Sequence, residues 1–211
     1  MPNNIFDGCA SLKSVNVPSS VIAVGSYAFR KCNTLESIDL SAITSKAFTI
    51  NLNAFQESGV TEVIGFNKVT SLGKEAFANS ALSGSFEIND VVEVKNASSA
   101  FKGTNITSLT INASSVPANM FQDCAKLKTV TLGTNVATIS SSAFNNCVEL
   151  ERVINKSTKL ESIGANAFEG CKKFKIFADE VKTAEIDAGK ATPGFYVTGS
   201  EFDSVGKCAF Y

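Results

Sequence analysis

The 211 residues include no histidine, no tryptophan, two methionines and four prolines. Without an imidazole there is no Ser-His-Asp or Cys-His catalytic set and no histidine ligand for zinc or haem, because those chemistries need a group that titrates near neutrality. Arginine is almost as scarce, at Arg30 and Arg152 alone, and 19 basic against 20 acidic side chains leave a formal charge of −1. Such a chain offers no clustered basic field for a phosphate backbone or anionic lipid, so nucleic acid is not expected as a partner. No apolar run approaches the roughly 18 residues of a membrane-spanning helix, so no membrane insertion is expected. The opening MPNNIFDGCA has neither the positive n-region nor the apolar h-region of a secretory signal.

Phenylalanine is what the chain has in quantity, 16 residues, and half of them stand in register. Phe6, Phe29, Phe55, Phe77, Phe101, Phe121, Phe144 and Phe168 are separated by 23, 26, 22, 24, 20, 23 and 24 residues, a period typical of stacked repeat units. The text around them recurs as IFDGCASLKSVNV, AFRKCNTLESIDL, MFQDCAKLKTVTL and AFNNCVELERV, which reduces to Phe-x-x-Cys-x-x-Leu-x-x-Val/Ile-x-Leu/Val. Upstream lies a second recurring block, VIAVGSYAF, VTSLGKEAF, VATISSSAF and LESIGANAF, with alanine before the phenylalanine at 28, 54, 76, 100, 143 and 167. From Phe55, Phe77 and Phe101 the stretch to the aliphatic is one residue shorter. The ending L-x-x-V-x-L reads as a short strand whose aliphatics, two apart, point inward. A coil of about 23 residues cannot bury its own apolar edge, so neighbouring coils must stack as parallel strands ~4.8 Å apart.

The spacing and strand motif resemble the leucine-rich repeat, and the Ala-Phe-x-x-Cys-x-x-Leu block resembles its BspA-type subclass, over about residues 1–177. The expected fold is a repeat solenoid with short parallel strands in one curved sheet, about 23 residues per coil, and an irregular opposite side with few or short helices. The resemblance implies a surface-displayed or secreted, adhesin-like module that engages a host protein or glycan. The repeats are assigned to 1–177, about eight coils with the first incomplete, and 178–211 to degenerate coil or coils ending inside a further repeat. The start aligns with the interior of a repeat, and Ser204 to Phe210 matches Ser162 to Phe168. An open solenoid end bares an apolar layer, so the chain is expected to be a piece of a longer array or an incomplete gene product, with end-to-end self-association as one outcome.

Five of the six cysteines, Cys9, Cys32, Cys124, Cys147 and Cys171, stand three residues after a repeat phenylalanine, where other coils carry Ser58, Ser80 and Thr104. A slot that takes thiol or hydroxyl wants a small donor for a neighbouring carbonyl. Stacked rungs also hold Cβ atoms near ~4.8 Å, beyond the ~3.5–4.5 Å of a disulfide, so reduced thiols are expected. There is no Cys-x-x-Cys, hence no expected metal site and no cofactor. Cys208 occupies a different repeat position. The phenylalanines are expected to form a buried spine.

Function on a solenoid is expected on the outward side of the strands, which forms a continuous surface. The register places Ser14, Asn16, Ser37, Asp39, Glu62, Ile64, Ser108, Thr110, Thr129, Thr131, Arg152 and Ile154 there. Most are small and polar. Ile64 with Phe66, and Arg152 with Ile154, are the side-chain types that anchor interfaces. Four Asn-x-Ser/Thr sequons, at Asn96, Asn105, Asn112 and Asn155, match what composition yields by chance and decide nothing. The leading reading is a non-catalytic binding module. A self-assembling structural repeat is the alternative, and a polysaccharide-active parallel β-helix is disfavoured because the seven aspartates are isolated and the two arginines far apart.

Overall fold

The structure, a computed structural model, describes residues 1–90, 92–94, 96–188 and 204–205. In chain order the strands are β1 (Ala23–Val24), β2 (Ser37–Asp39), β3 (Phe48–Ile50), β4 (Glu62–Ile64), β5 (Val69–Leu72), β6 (Ser83–Ile88) and β7 (Asn105–Ile111). There follow β8 (Ser115–Val116), β9 (Thr129–Leu132), β10 (Thr138–Ile139), β11 (Arg152–Asn155), β12 (Ser162–Ile163), β13 (Ile176–Ala178) and β14 (Ser204–Val205). All pairings between these strands are parallel. The described helices are a 3-10 turn at Phe66–Lys68 and α1 (Glu180–Asp187). The chain is a parallel β-solenoid, as the periodicity predicts.

The L-x-x-V-x-L motif builds a front ladder in two parts, β2 beside β4 and then β6, β7, β9, β11 and β13 in order. The expected single sheet is therefore divided between β4 and β6. The side expected to be irregular carries a ladder of its own, β1-β3-β5 and β8-β10-β12-β14. Its strands come from the upstream aliphatic block: Val24 pairs with Ile50, Ile50 with Leu72, and Ile139 with both Val116 and Ile163. One short strand per coil suffices there because each repeats in register. The first coil's motif forms no strand, and Ser14 and Asn16 are simply exposed.

Between the ladders runs the phenylalanine spine. Successive rings from Phe6 to Phe168 stack at centroid distances of 5.4, 5.1, 5.0, 5.4, 5.4, 5.5 and 5.3 Å. These exceed the ~4.8 Å strand spacing by little, so the rings are slightly offset, the preferred aromatic arrangement. From Phe29 onward every ring is buried, as are the preceding alanines.

The turn holding each ring has a feature that the sequence reading did not anticipate. Residues two before the spine phenylalanine (Asn4, Tyr27, Asn53, Glu75, Ser99, Asn119, Ser142, Asn166) all have φ between 54° and 60°. Residues two after it (Gly8, Lys31, Glu57, Asn79, Gly103, Asp123, Asn146, Gly170) have φ between 56° and 76°. Left-handed residues in alternation turn successive amides the same way. At each junction the three amides therefore donate to the next coil, as Asn119 to Ser141 (3.2 Å), Phe121 to Ala143 (2.8 Å) and Asp123 to Asn145 (2.9 Å). This third, one-way ladder fixes the rise of the spine and with it the spacing of the front strands.

Candidate functional site

The front ladder sets outward side chains in two rows. Ser108, Thr129 and Arg152 are direct neighbours in one row, and Thr110, Thr131 and Ile154 in the other. Ser37 pairs with Glu62 and Asp39 with Ile64 in the detached pair of strands. The inward partners Leu109, Val130 and Val153 are buried, whereas the outward six are half-buried. The alternation follows from the period of two, with the inward set anchored by the core.

Ser37, Asp39, Glu62 and Ile64 are exposed, and Ile64 at 41% is one of only three large hydrophobic side chains so exposed among the described residues. Hydrogen bonds from Ser41, whose amide lies 2.8 Å from Asp39 Oδ1, hold the Asp39 carboxyl below the usual carboxylate range.

Phe66 is not on this face. It is buried at 7% exposure, its ring 4.6 Å from Phe86 and 6.4 Å from both Phe77 and Phe101. Gly65, at φ 74°, reverses the chain after Ile64 and begins the 3-10 turn that carries Phe66 into the core. An L-residue adopts this backbone only with strain. The expected Ile64–Phe66 pair is therefore split, one residue outside and one inside.

Arg152 is on the face but engaged. Its guanidinium donates to both Asp187 carboxylate oxygens, at 2.9 and 3.2 Å, while Lys156 Nζ lies 2.6 Å from Glu180. These two ion pairs tie both ends of α1 to β11 and the residue after it. Under α1 the outward positions of β13, Ile176 and Ala178, are buried at 5% and 0%, unlike their half-buried equivalents in the neighbouring strands. The degenerate segment, described at residues 178–188 and 204–205, thus holds a helix over the end of the front ladder and adds β14 to the rear one.

The fourth coil contributes Ser85 and Glu87 to the same two rows, paired with Ser108 and Thr110. Reading by spacing missed them. A bulge at Gly84/Ser85 shifts the register in the coil with the most altered motif.

The cysteine slot works as expected in four of its five cysteines; Cys9, in the first coil, is exposed. Sγ of Cys32, Cys124, Cys147 and Cys171 donates to the carbonyls of Phe6, Phe101, Phe121 and Phe144 in the preceding coil, at 3.1 to 3.2 Å. Thr104 bonds instead to Phe101 in its own turn, and the buried hydroxyls of Ser58 and Ser80 have no partner among the described residues. Burial pushes the Cys32 and Cys124 thiols up to about 11 and raises Cys147 as well. A hydrogen bond with Cys147 instead lowers the Cys171 thiol. The three raised thiols are protonated at neutral pH and so are not nucleophiles there. Cys208 and Phe210 lie outside the described residues.

A profile of the BspA type leucine rich repeat region matches the chain in six copies, over residues 1–98 and 95–188. Among solved structures, a leucine-rich repeat protein from Bacteroides ovatus is similar over 99% of this chain and 56% of its own, with 19% identity and a TM-score of 0.67. One from Eubacterium ventriosum is similar over 92% and 57%, with 18% identity and a TM-score of 0.57. The T. pallidum leucine rich repeat protein is similar over 96% and 78%, with 20% identity and a TM-score of 0.54. The chain thus spans little more than half of the first two. Among curated proteins none matches the sequence.

Proposed function

The chain belongs to the BspA-type leucine-rich repeat family, and from that premise we propose that it is a non-catalytic binding module, displayed at a cell surface or secreted, that engages a protein or glycan through its front ladder. The observation that carries this reading is the pair of outward rows. From β7 to β11 they hold Ser108, Thr129 and Arg152 beside Thr110, Thr131 and Ile154, on backbone locked by the core. Side chains held at ~4.8 Å intervals on a rigid surface suit many weak contacts made together. Surface display is supported by the family resemblance; in the structure, no described helix is long and apolar enough to cross a membrane.

The test is an array of matrix proteins and glycans probed with the whole chain and with a Thr110→Lys/Thr131→Lys variant. These half-buried outward positions accept lysine without disturbing the core, since its stem lies along the surface with the charge in water. A ligand retained by the native chain and bound at least about tenfold more weakly by the variant, a change of ~1.4 kcal/mol, supports the reading. Equal retention of every ligand by both proteins sinks it. Head-to-tail self-association is a second reading, favoured by the one-way turn ladder, whose amides all donate toward the following coil, a polarity suited to stacking in one direction. Sedimentation across a concentration series separates them: growth into polymers supports self-association, and a constant monomer excludes it.

A further inference from the structure

The division of the front ladder leaves two strand edges facing each other. β4 is joined backward to β2, and Leu40 N–H donates to Ile64 C=O at 2.8 Å, so Ile64 points toward β2. Neighbouring residues of a strand turn their amide and carbonyl to opposite sides, which aims those of Val63 at β6. On β6, Asn112 N–H donates to Ile88 C=O at 2.8 Å, so Ile88 faces β7, and by the same alternation Ser85 and Glu87 face back toward β4. No ladder pair joins β4 to β6. One hydrogen bond, Ser83 N–H to Thr61 C=O at 3.1 Å, closes the narrow end, and beyond it the edges part around a cleft of about 450 Å³. That volume lies within the roughly 300–1,000 Å³ of ligand sites.

The cleft is built by the sequence around it. Phe66 turns into the core beneath β6, and its ring stands edge-on against Phe86, which is left half-buried although its position is an inward one. Gly84, at φ 78° with open space where a Cβ would stand, lines the cleft beside the bulge. Glu62 is the one charged side chain in the lining, and exposed Glu87 follows Phe86 on the other edge.

We infer that this cleft is a strand-accepting site for an extended, basic peptide segment of a protein partner. The segment pairs by its backbone with the free edge of β6, covers Phe86 with an apolar side chain and sets lysine or arginine against Glu62 and Glu87. Free edges take such segments by main-chain hydrogen bonding, with alternate side chains supplying specificity. This deepens the binding-module reading and rests on it, naming the partner's chemistry and placing it between coils three and four.

Two measurements on the whole chain test it. In the free protein, hydrogen exchange should be fast at the Val63, Ser85 and Glu87 amides and at least a hundredfold slower at Leu109 and Val130; protection of the three amides overturns the inference. A library of random linear peptides displayed against the chain should enrich Lys- and Arg-bearing strands. Their binding should slow exchange at the same three amides at least tenfold, and should fall at least tenfold in Glu62→Lys/Glu87→Lys and in Ser85→Pro, which deletes one of the donors. Ser85→Pro should melt close to the native protein, and if it does not fold, the exchange result on the native chain still decides. Retrieval of no peptide, of peptides without basic enrichment, or of peptides that leave the three amides unprotected overturns the inference. An array ligand still lost in Thr110→Lys/Thr131→Lys would leave the binding-module reading standing.

Discussion

At the scale of single residues, the slot three positions after the spine phenylalanine shows how one atom changes a contact. Cysteine spans the gap to the carbonyl of the preceding coil because a C–S bond is longer than a C–O bond; serine at 58 and 80 stays buried without a partner. A buried unpaired hydroxyl costs about 1–3 kcal/mol. Ser80→Cys should therefore gain about 1 kcal/mol and raise the melting temperature by about 2–4 °C for a chain of this size, and a lowered temperature would refute the donor role of the slot. The same thiols set an alkaline limit. The unfolded thiol ionises near 9, whereas burial holds Cys124 protonated until about 11. Protonated burial thus stabilises the fold fully below pH 9 and is lost as pH rises toward 11, by about 2–3 kcal/mol for this group. Melting curves between pH 8 and 11 should fall more steeply for the native chain than for Cys124→Ser, which has lost the Cys124 contribution to that fall. The slot itself was readable because thiol and hydroxyl alternate in one place; the failure of serine to reach was not, since it depends on tenths of an ångström.

At the scale of elements, the turn around each phenylalanine decides the rise of the solenoid. Its paired left-handed residues were not legible in the sequence because Tyr27, Glu75 and Lys31 share those places with asparagines and glycines, the types that favour this backbone. A non-glycine residue there is strained by ~1–2 kcal/mol, and glycine costs ~0.5–1 kcal/mol more entropy on folding. Lys31→Gly should consequently stabilise by about 0.5–1 kcal/mol in urea titration, and a loss of stability would contradict the assigned turn. The rear ladder was half legible: the upstream aliphatics recur, but two-residue strands carry no alternation to read. Helix α1 was not legible. It follows the last motif and is tied down by Arg152–Asp187 and Lys156–Glu180. Surface ion pairs are weakened by salt, so amide exchange over 180–187 should quicken on raising salt to about 1 M and, at low salt, in Arg152→Ala. Unchanged exchange in both would show that the helix is held by other contacts.

At the scale of the whole molecule, the stacked rings, the cysteine slots and the turn amides all repeat along one axis, the amides donating to the following coil and the thiols to the preceding one, and the front face is their product. Ser108, Thr110, Thr129, Thr131 and Ile154 stand where the spacing predicts, because core burial of the residues between them leaves no other register. Phe66 does not, because Gly65 reverses the chain and the core accepts a further ring; an aromatic beside a strand end reads equally well as surface or core until that turn is seen. The same event divides the face and gives the fourth coil its open edge. The measurement that tests the account most directly is the hydrogen-exchange footprint of a retained ligand on the full chain. The account predicts slowed exchange along β4, β6, β7 and β9, with the rear strands β8, β10 and β12 unchanged. A footprint confined to the rear ladder, or none on the front strands at saturation, would contradict it.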